Sequence, residues 1–167
     1  INFENKNDNP SSDLHYLYAR SFHLESFPIS EKVKNSIDKH LKTIKLNWLS
    51  YSIYNKGLAS LILNRFGEKA TAKMILESLK ETSSNNEDWG MYWIENKSGW
   101  YWYQAPIETQ ALLIEVFSEI DNDRKSVDAM KVWLLKNKQA KNWPTTKSTT
   151  EAIYALLLQG KDWINVK

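Results

Sequence analysis

Residues 105–120, APIETQALLIEVFSEI, set the terms for the rest of the chain. Proline is accommodated at the first turn of a helix, where its missing N–H loses no bond, so Pro106 reads as the first helical position of a segment running to about Ile120. Inside that segment Ala111 to Ile114 are apolar without a break. A helix that is apolar most of the way round must be covered on most sides.

Two other segments share this property. Leu58 to Leu63 lies in a predicted helix that Asn47 opens and Gly67 ends, glycine being suited to a left-handed C-cap. Ala152 to Leu158 lies in a helix read as starting at the capping-box pattern Ser148-Thr149-Thr150-Glu151 and stopping at Gly160. The helices in between are of a different kind. Ser30 precedes Val33, Ile37, Leu41 and Ile44; Ala70, Met74, Ile75 and Leu79 follow, up to about Thr82. Asp123 caps a segment with Val127, Met130, Trp133 and Leu134 inward. Each has helical spacing and an opposite face rich in Lys and Glu. With Asp13 to Leu24, behind Pro10-Ser11-Ser12, the chain is predicted to hold seven helices. Striped and apolar helices in alternation describe stacked αα-hairpins with an outer and an inner layer. Thr109-Gln110-Ala111-Leu112 is echoed by Thr150-Glu151-Ala152-Ile153, and Asn47-Trp48 by Asn142-Trp143. A period near forty residues suits a two-helix repeat.

One segment interrupts the helices. WGMYWIENKSGWYWY, residues 89–103, places aromatic runs on both sides of the polar turn Asn96-Lys97-Ser98-Gly99, the pattern of a short β-hairpin or ordered loop. As a packing lid it would bury its rings over one end of the helical layers. As an exposed platform it would offer Trp89, Tyr92, Trp93, Trp100 and Trp102 to a sugar or a protein, with Glu108 beside them.

Composition removes several function classes. The 167 residues suffice for one domain with a core, and five Gly and four Pro argue against a turn-rich all-β fold. A net charge of +2 creates no strong field for nucleic acid or an anionic membrane. No apolar run approaches the roughly 18 residues of a membrane span. With no cysteine there is no disulfide, thiolate metal site or thiol nucleophile within these residues. His15, His23 and His40 lack companions at metal-ligand spacing, so no metal or other cofactor is expected. Asp121-Asn122-Asp123 sits between two helices, where such residues serve turns and caps. Glu108 is the single acid candidate for chemistry, because burial beside aromatic rings is what keeps a carboxyl protonated for general-acid work. Charge complementarity at a helix N-terminus is the default reading of it, and a glycosidase would need a second carboxylate across the bond. The expectation is a non-enzymatic domain with no catalytic residue.

Three stretches carry a resemblance: Asp13 to Phe22 (DLHYLYARSF), Gly90 to Ile120, and Val127 to Leu158. The last is the most specific, with W-L-L-x-x-K-Q followed by N-W-x-T-T-x-x-T-x-E-A-x-x-A-L-L. Together they resemble the helical, thioester-domain-like region of large bacterial alpha-2-macroglobulin family proteins. The resemblance implies part of an α/α-toroid of the kind shared with terpenoid cyclases and protein prenyltransferases, spanning residues 13–163 after a polar lead-in, 1–12. It implies a role in broad-range endopeptidase inhibition by trapping, at the cell envelope, either periplasmic or surface-attached. The partners implied are other domains of the same parent chain and, through the full-length protein, proteases, with no nucleic acid and no direct membrane insertion. Many family members carry a Cys-Gly-Glu-Gln-like thioester; without cysteine none can form within this chain, and the resemblance puts that motif upstream. The alternative is a carbohydrate-active or carbohydrate-binding α/α-barrel using residues 89–103. The chain opens at Ile1 in a polar stretch and is expected to be a segment of a longer protein. On that expectation the first helix is the open edge, presenting Leu14, Tyr16, Leu17, Tyr18 and Phe22. Trp133, Leu134, Ala152 and Leu156 are expected to be buried where the last two helices meet.

Overall fold

The computed structural model describes residues 10–98, 105–140, 143 and 145–158. Among them are seven α-helices and one two-stranded antiparallel sheet, so the described residues are all-α apart from a single hairpin. The helices are α1 (Pro10–Ser21), α2 (Glu31–Asn47), α3 (Ile53–Arg65), α4 (Lys69–Glu81), α5 (Pro106–Ile120), α6 (Arg124–Ala140) and α7 (Thr146–Leu157). The strands are β1 (Ser84–Asn86) and β2 (Gly90–Tyr92).

The odd-numbered helices lie side by side in the order α1, α3, α5, α7. Contacts near their beginnings and near their ends show that they run the same way. His15 meets Tyr54, and Ser148 meets Glu108, at the N-terminal ends. Ser21 meets Arg65, and Arg65 meets Glu119, at the C-terminal ends. The row is backed by α4 against α3 and α5, and by α6 against α5. α5 is therefore covered on all sides, and every residue from Ile107 to Phe117 is buried, as its unbroken apolar run requires.

Local chemistry sets most of the boundaries. Pro106 occupies the start of α5 as predicted. Gly67 ends the α3 helix with φ +92°, with the Gly67 N–H on Asn64 O and the Glu68 N–H on Leu63 O, the paired bonds of a Schellman motif. Asp123 caps α6, its Oδ1 accepting from the Ser126 N–H at 3.1 Å. Elsewhere the predicted starts move. Asn47 closes α2 instead of opening α3; a 3₁₀ turn, Trp48–Ser50, intervenes, and the Ser52 side chain caps α3 by accepting from the Asn55 N–H. α7 begins a turn before the capping-box pattern, because Thr145 accepts from the Ser148 N–H; Gly160 lies outside the described residues. Ser30 stands at the N-cap of α2, without a side-chain bond. α1 spans Pro10–Ser21 and not Asp13–Leu24, so Pro10 to Ser12 belong to the helical domain and not to a lead-in.

The hairpin also differs. The described hairpin turns at residues 87–89, where the Asn86 side chain accepts from the N–H groups of Asp88 and Trp89 and folds the chain; Gly99 of the expected turn and the aromatic run at 100–103 lie outside the described residues. β1 thus lies before the aromatic segment, and strand structure extends outside residues 89–103. β2 packs on α6, and Gln110 of α5 clamps both from below, its Nε2 donating to Met91 O at 2.7 Å and to Met130 O at 3.4 Å.

Two expectations about edges are overturned. Leu14 and Leu17 are each 1% exposed in a helix packed against α3, and Tyr18 is half-buried, so of the expected α1 patch only Tyr16 and Phe22 face solvent. Among the described residues α7 also exposes an apolar flank, through Ile153, Tyr154 and Leu157. Trp133, Leu134 and Ala152 are buried, but Leu156 is only partly so, since α7 turns its narrow small-residue stripe, Ser148, Ala152 and Ala155, toward α5 and barely touches α6.

Gly90 and Gly67 separate strain from collision. Both have positive φ, but a Cβ at Gly90 would sit 2.0 Å from Ala129 O, whereas one at Gly67 meets nothing within 4 Å. Gly90→Ala is expected to cost roughly 2–5 kcal/mol and Gly67→Ala only about 1 kcal/mol. Equal losses in urea unfolding would show that β2 is not seated on α6 as described.

Candidate functional site

Polar residues join the odd-numbered helices at both ends of the row. At the N-terminal end, His15 Nε2 lies 3.2 Å from Tyr54 Oη, with their rings stacked at 5.7 Å. Glu108, only 6% exposed, accepts from the Ser148 hydroxyl at 2.7 Å. Glu151 follows Ser148 by one helical turn, half-buried and 3.7 Å from Lys147. Burial pushes the Tyr54 phenol up to about 12, and the carboxylates of Glu151 and Glu108 add to the shift. Burial likewise raises the Glu151 carboxyl; Lys147 opposes the shift, and Glu108 and Glu115 reinforce it.

At the C-terminal end, Arg65 is the hub. Its Nη2 donates to Glu115 and to Glu119, both at 2.6 Å, its Nε to Glu119 at 3.1 Å, and its Nη1 to the Ser21 hydroxyl at 3.1 Å. The guanidinium carbon lies 4.3 Å from the Phe22 ring centre and 5.3 Å from that of Tyr18. The Tyr18 hydroxyl donates to Glu115 at 2.7 Å. Glu115 is 5% exposed, a buried carboxylate held by a guanidinium on one side and a phenol on the other. Burial alone would lower the pKa of Arg65, but Glu119 and Glu115 overcome it and hold the group firmly charged. Burial, with the charge and bond of Glu115, pushes the Tyr18 phenol far above its ordinary range. Burial and Glu115 also raise Tyr154. A cleft of about 630 Å³ opens beside this hub.

The residues singled out from the sequence do not assemble into one platform. Trp93 is 2% exposed, its Nε1 donating to Leu79 O at 2.9 Å and its ring edge-on to Phe117. Trp89 is exposed at the hairpin turn and Tyr92 is half-buried. Trp100 and Trp102 lie outside the described residues. Glu108 faces α7 and is not beside Trp89 or Trp93 in any described contact. Asp121 and Asp123 serve the α5–α6 turn, drawn to Lys80 at 2.8 and 3.2 Å, and His40 lies 3.4 Å from Asp13. Among the described residues no group of three His, Cys, Asp or Glu is placed to hold a metal ion.

Sequence reading missed Arg65, Glu115, Glu119, Tyr18, Tyr54 and Glu151. The available signal was a charge embedded in an apolar helix: Glu115 between Ile114 and Val116, and Arg65 one residue beyond Leu61-Ile62-Leu63-Asn64. Such a charge needs an internal partner. Comparison of the chain with protein-family models, with curated proteins and with solved structures returns no match.

Two measurements probe these clusters. Arg65→Leu leaves Glu115 buried without its cation, and the expected loss is about 3–5 kcal/mol. Adding Glu115→Gln should recover part of it; a double variant no more stable than Arg65→Leu would show that the stranded carboxylate is not the cause. The second concerns alkali. Folding favours the protonated Tyr54 phenol, whose pKa is about 12 against an ordinary 10, so its contribution is full below pH 10 and is lost as pH rises through about 12. Urea midpoints should fall over that window, with Tyr18 adding to the slope, and Tyr54→Phe should flatten it; an unchanged slope would remove Tyr54 from the account.

Proposed function

We propose that this chain is a non-catalytic scaffold and binding domain: an arc of an α/α-toroid within an alpha-2-macroglobulin-like protein of the cell envelope, contributing to the trapping of endopeptidases. The observation that carries the reading is the parallel row α1, α3, α5, α7, backed by even-numbered helices. An arc of a two-layered helical ring has that arrangement. Its inner helices run the same way, its outer helices return the chain, and each inner helix is flanked by inner neighbours except at the cut edge. The flank of α7 bearing Ile153 and Leu157 suits such an edge, a surface that neighbouring hairpins of the parent chain would cover.

The buried acids fit a structural role. Glu108 is closed in against Ser148, and Glu115 against Arg65 and Tyr18, so both charges are engaged by the protein's own side chains. The carbohydrate reading gains Glu151 as a second acid in the electrostatic neighbourhood of Glu108. It loses Trp93, which faces the core, and retains Trp89 as an exposed ring. The scaffold reading is therefore preferred.

Trapping has a distinctive readout, because a caged protease is screened from large substrates while small ones still diffuse in. The parent protein, incubated with endopeptidases of different specificity, is expected to suppress digestion of a protein substrate and to spare hydrolysis of a short chromogenic peptide. Equal activity on both substrates with and without the parent protein, for every protease tried, would reject the trap. Polysaccharide hydrolysis abolished by Glu108→Gln would replace it with the glycosidase.

A further inference from the structure

Among the described residues, the cleft beside Arg65 is lined by more acidic than basic side chains. Of those residues, Glu25, Glu115 and Glu119 all line it, and Arg65 is the one cation that does. That cation is already committed, with Glu115 and Glu119 at 2.6 Å and the Ser21 hydroxyl at 3.1 Å. The backbone adds to the imbalance. α1, α3, α5 and α7 all end here, since Ser21, Arg65, Glu119 and Leu158 share the same cleft. The C-terminus of each helix carries a partial charge of about −0.5. Four parallel helices therefore direct their negative ends at one space.

The shape of the cleft narrows the chemistry. Phe22 is 52% exposed and Tyr154 48%, and with Leu24 and Leu158 they give the cleft apolar walls. A volume of about 630 Å³ falls within the range of small-ligand sites. A hydrated inorganic cation would leave those walls unused. A charged head on an aliphatic stem uses both features, because its stem covers apolar surface while its charge stays at the polar rim. Arg65 already shows the mode within the protein: its guanidinium lies over Phe22 and is forked by a carboxylate.

We propose that this cleft is a binding site for a basic side chain of a polypeptide, an arginine or lysine seated between the Phe22–Glu25 turn and the last turn of α7. Glu25 and the outer edge of Glu119 take the charge, and Tyr154 and Leu158 take the stem. The site is argued from described residues alone and does not rest on the trap reading, so either can fail without the other.

The test is a titration of the whole ¹⁵N-labelled chain with four probes: a short peptide with one central arginine, the same peptide with citrulline in its place, acetyl-arginine amide, and spermidine. The arginine peptide is expected to shift the amides of Glu25, Ser118, Glu119 and Tyr154. It should bind at least tenfold more tightly than the citrulline peptide, and more weakly as salt rises. Glu25→Lys, at an exposed position, should weaken that binding at least tenfold with the melting temperature unchanged; Tyr154→Ala should weaken the peptide more than spermidine. Equal binding of the citrulline peptide, shifts confined to another surface, or an affinity indifferent to Glu25→Lys would overturn the proposal. Spermidine binding as tightly as the peptide would overturn the polypeptide assignment in favour of a free polyamine.

Discussion

A helix with apolar side chains on every side leaves no face for water, and α5 is such a helix. Its burial from Ile107 to Phe117 requires a neighbour in each direction, and the rest of the chain supplies them. α3 and α7 lie on its two flanks, α4 and α6 lie behind, and β2 is held across its beginning by Gln110. Other packings of seven helices would leave Leu112, Leu113, Val116 or Phe117 in water. Each would forfeit on the order of 1.5–3 kcal/mol of apolar burial.

The same burial creates the polar problem that the two clusters solve. Ile114 and Val116 cannot be enclosed without enclosing Glu115 between them, and an ionised carboxylate away from water needs a cation and hydrogen bonds. Arg65 supplies the cation from α3 and Tyr18 supplies a hydroxyl from α1, so one buried acid fixes the relative register of three helices. At the other end of α5, Glu108 is enclosed as well and takes a hydrogen bond from the Ser148 hydroxyl of α7. The apolar residues hold the row together, and the polar pairs specify how far each helix slides along its neighbour. This division of labour explains why Arg65 sits at the last position of its helix, where a long side chain can reach across both Glu115 and Glu119.

What could be read from the sequence follows from how local the cause is. The helix types, the Pro106 start, the Gly67 end and the Asp123 cap depend on a few adjacent residues, and the structure reproduces them. The alternation of striped and apolar helices translated into flanking and central positions for α3 to α6, but α7, apolar in sequence, lies at the flank of the row with Ile153, Tyr154 and Leu157 exposed. Errors arose where two local signals competed. Ser148-Thr149-Thr150-Glu151 is a legitimate cap, yet Thr145 caps one turn earlier and Ser148 turns to Glu108 instead. The hairpin at residues 84–92 escapes a sequence reading because its turn rests on one side chain, that of Asn86, in a stretch without Gly or Pro before Gly90. The polar clusters were illegible for a different reason: His15 and Tyr54, or Arg65 and Glu115, become neighbours only when distant helices align.

The edge of the row was misjudged because hydrophobicity was weighed without size. α1 is crowded with large apolar residues, and that reads as surplus, but Leu14 and Leu17 are large enough to fill the space against α3 and become buried. α7 offers α5 only Ser148, Ala152 and Ala155. Small residues bring two backbones close together, and a close approach covers a narrow stripe of the helix while its larger residues, at intermediate angles, stay outside. Ile153, Tyr154 and Leu157 are left in water for that reason and not because the helix is poorly anchored. The close approach also brings the last turn of α7 to the end of α5, so that Tyr154 and Leu158 face Glu115 and Glu119 across the cleft. A bulkier stripe on α7 would have covered its flank and widened the cleft together. The exposed apolar edge and the acidic cleft thus have a single origin in the small residues of one helix face.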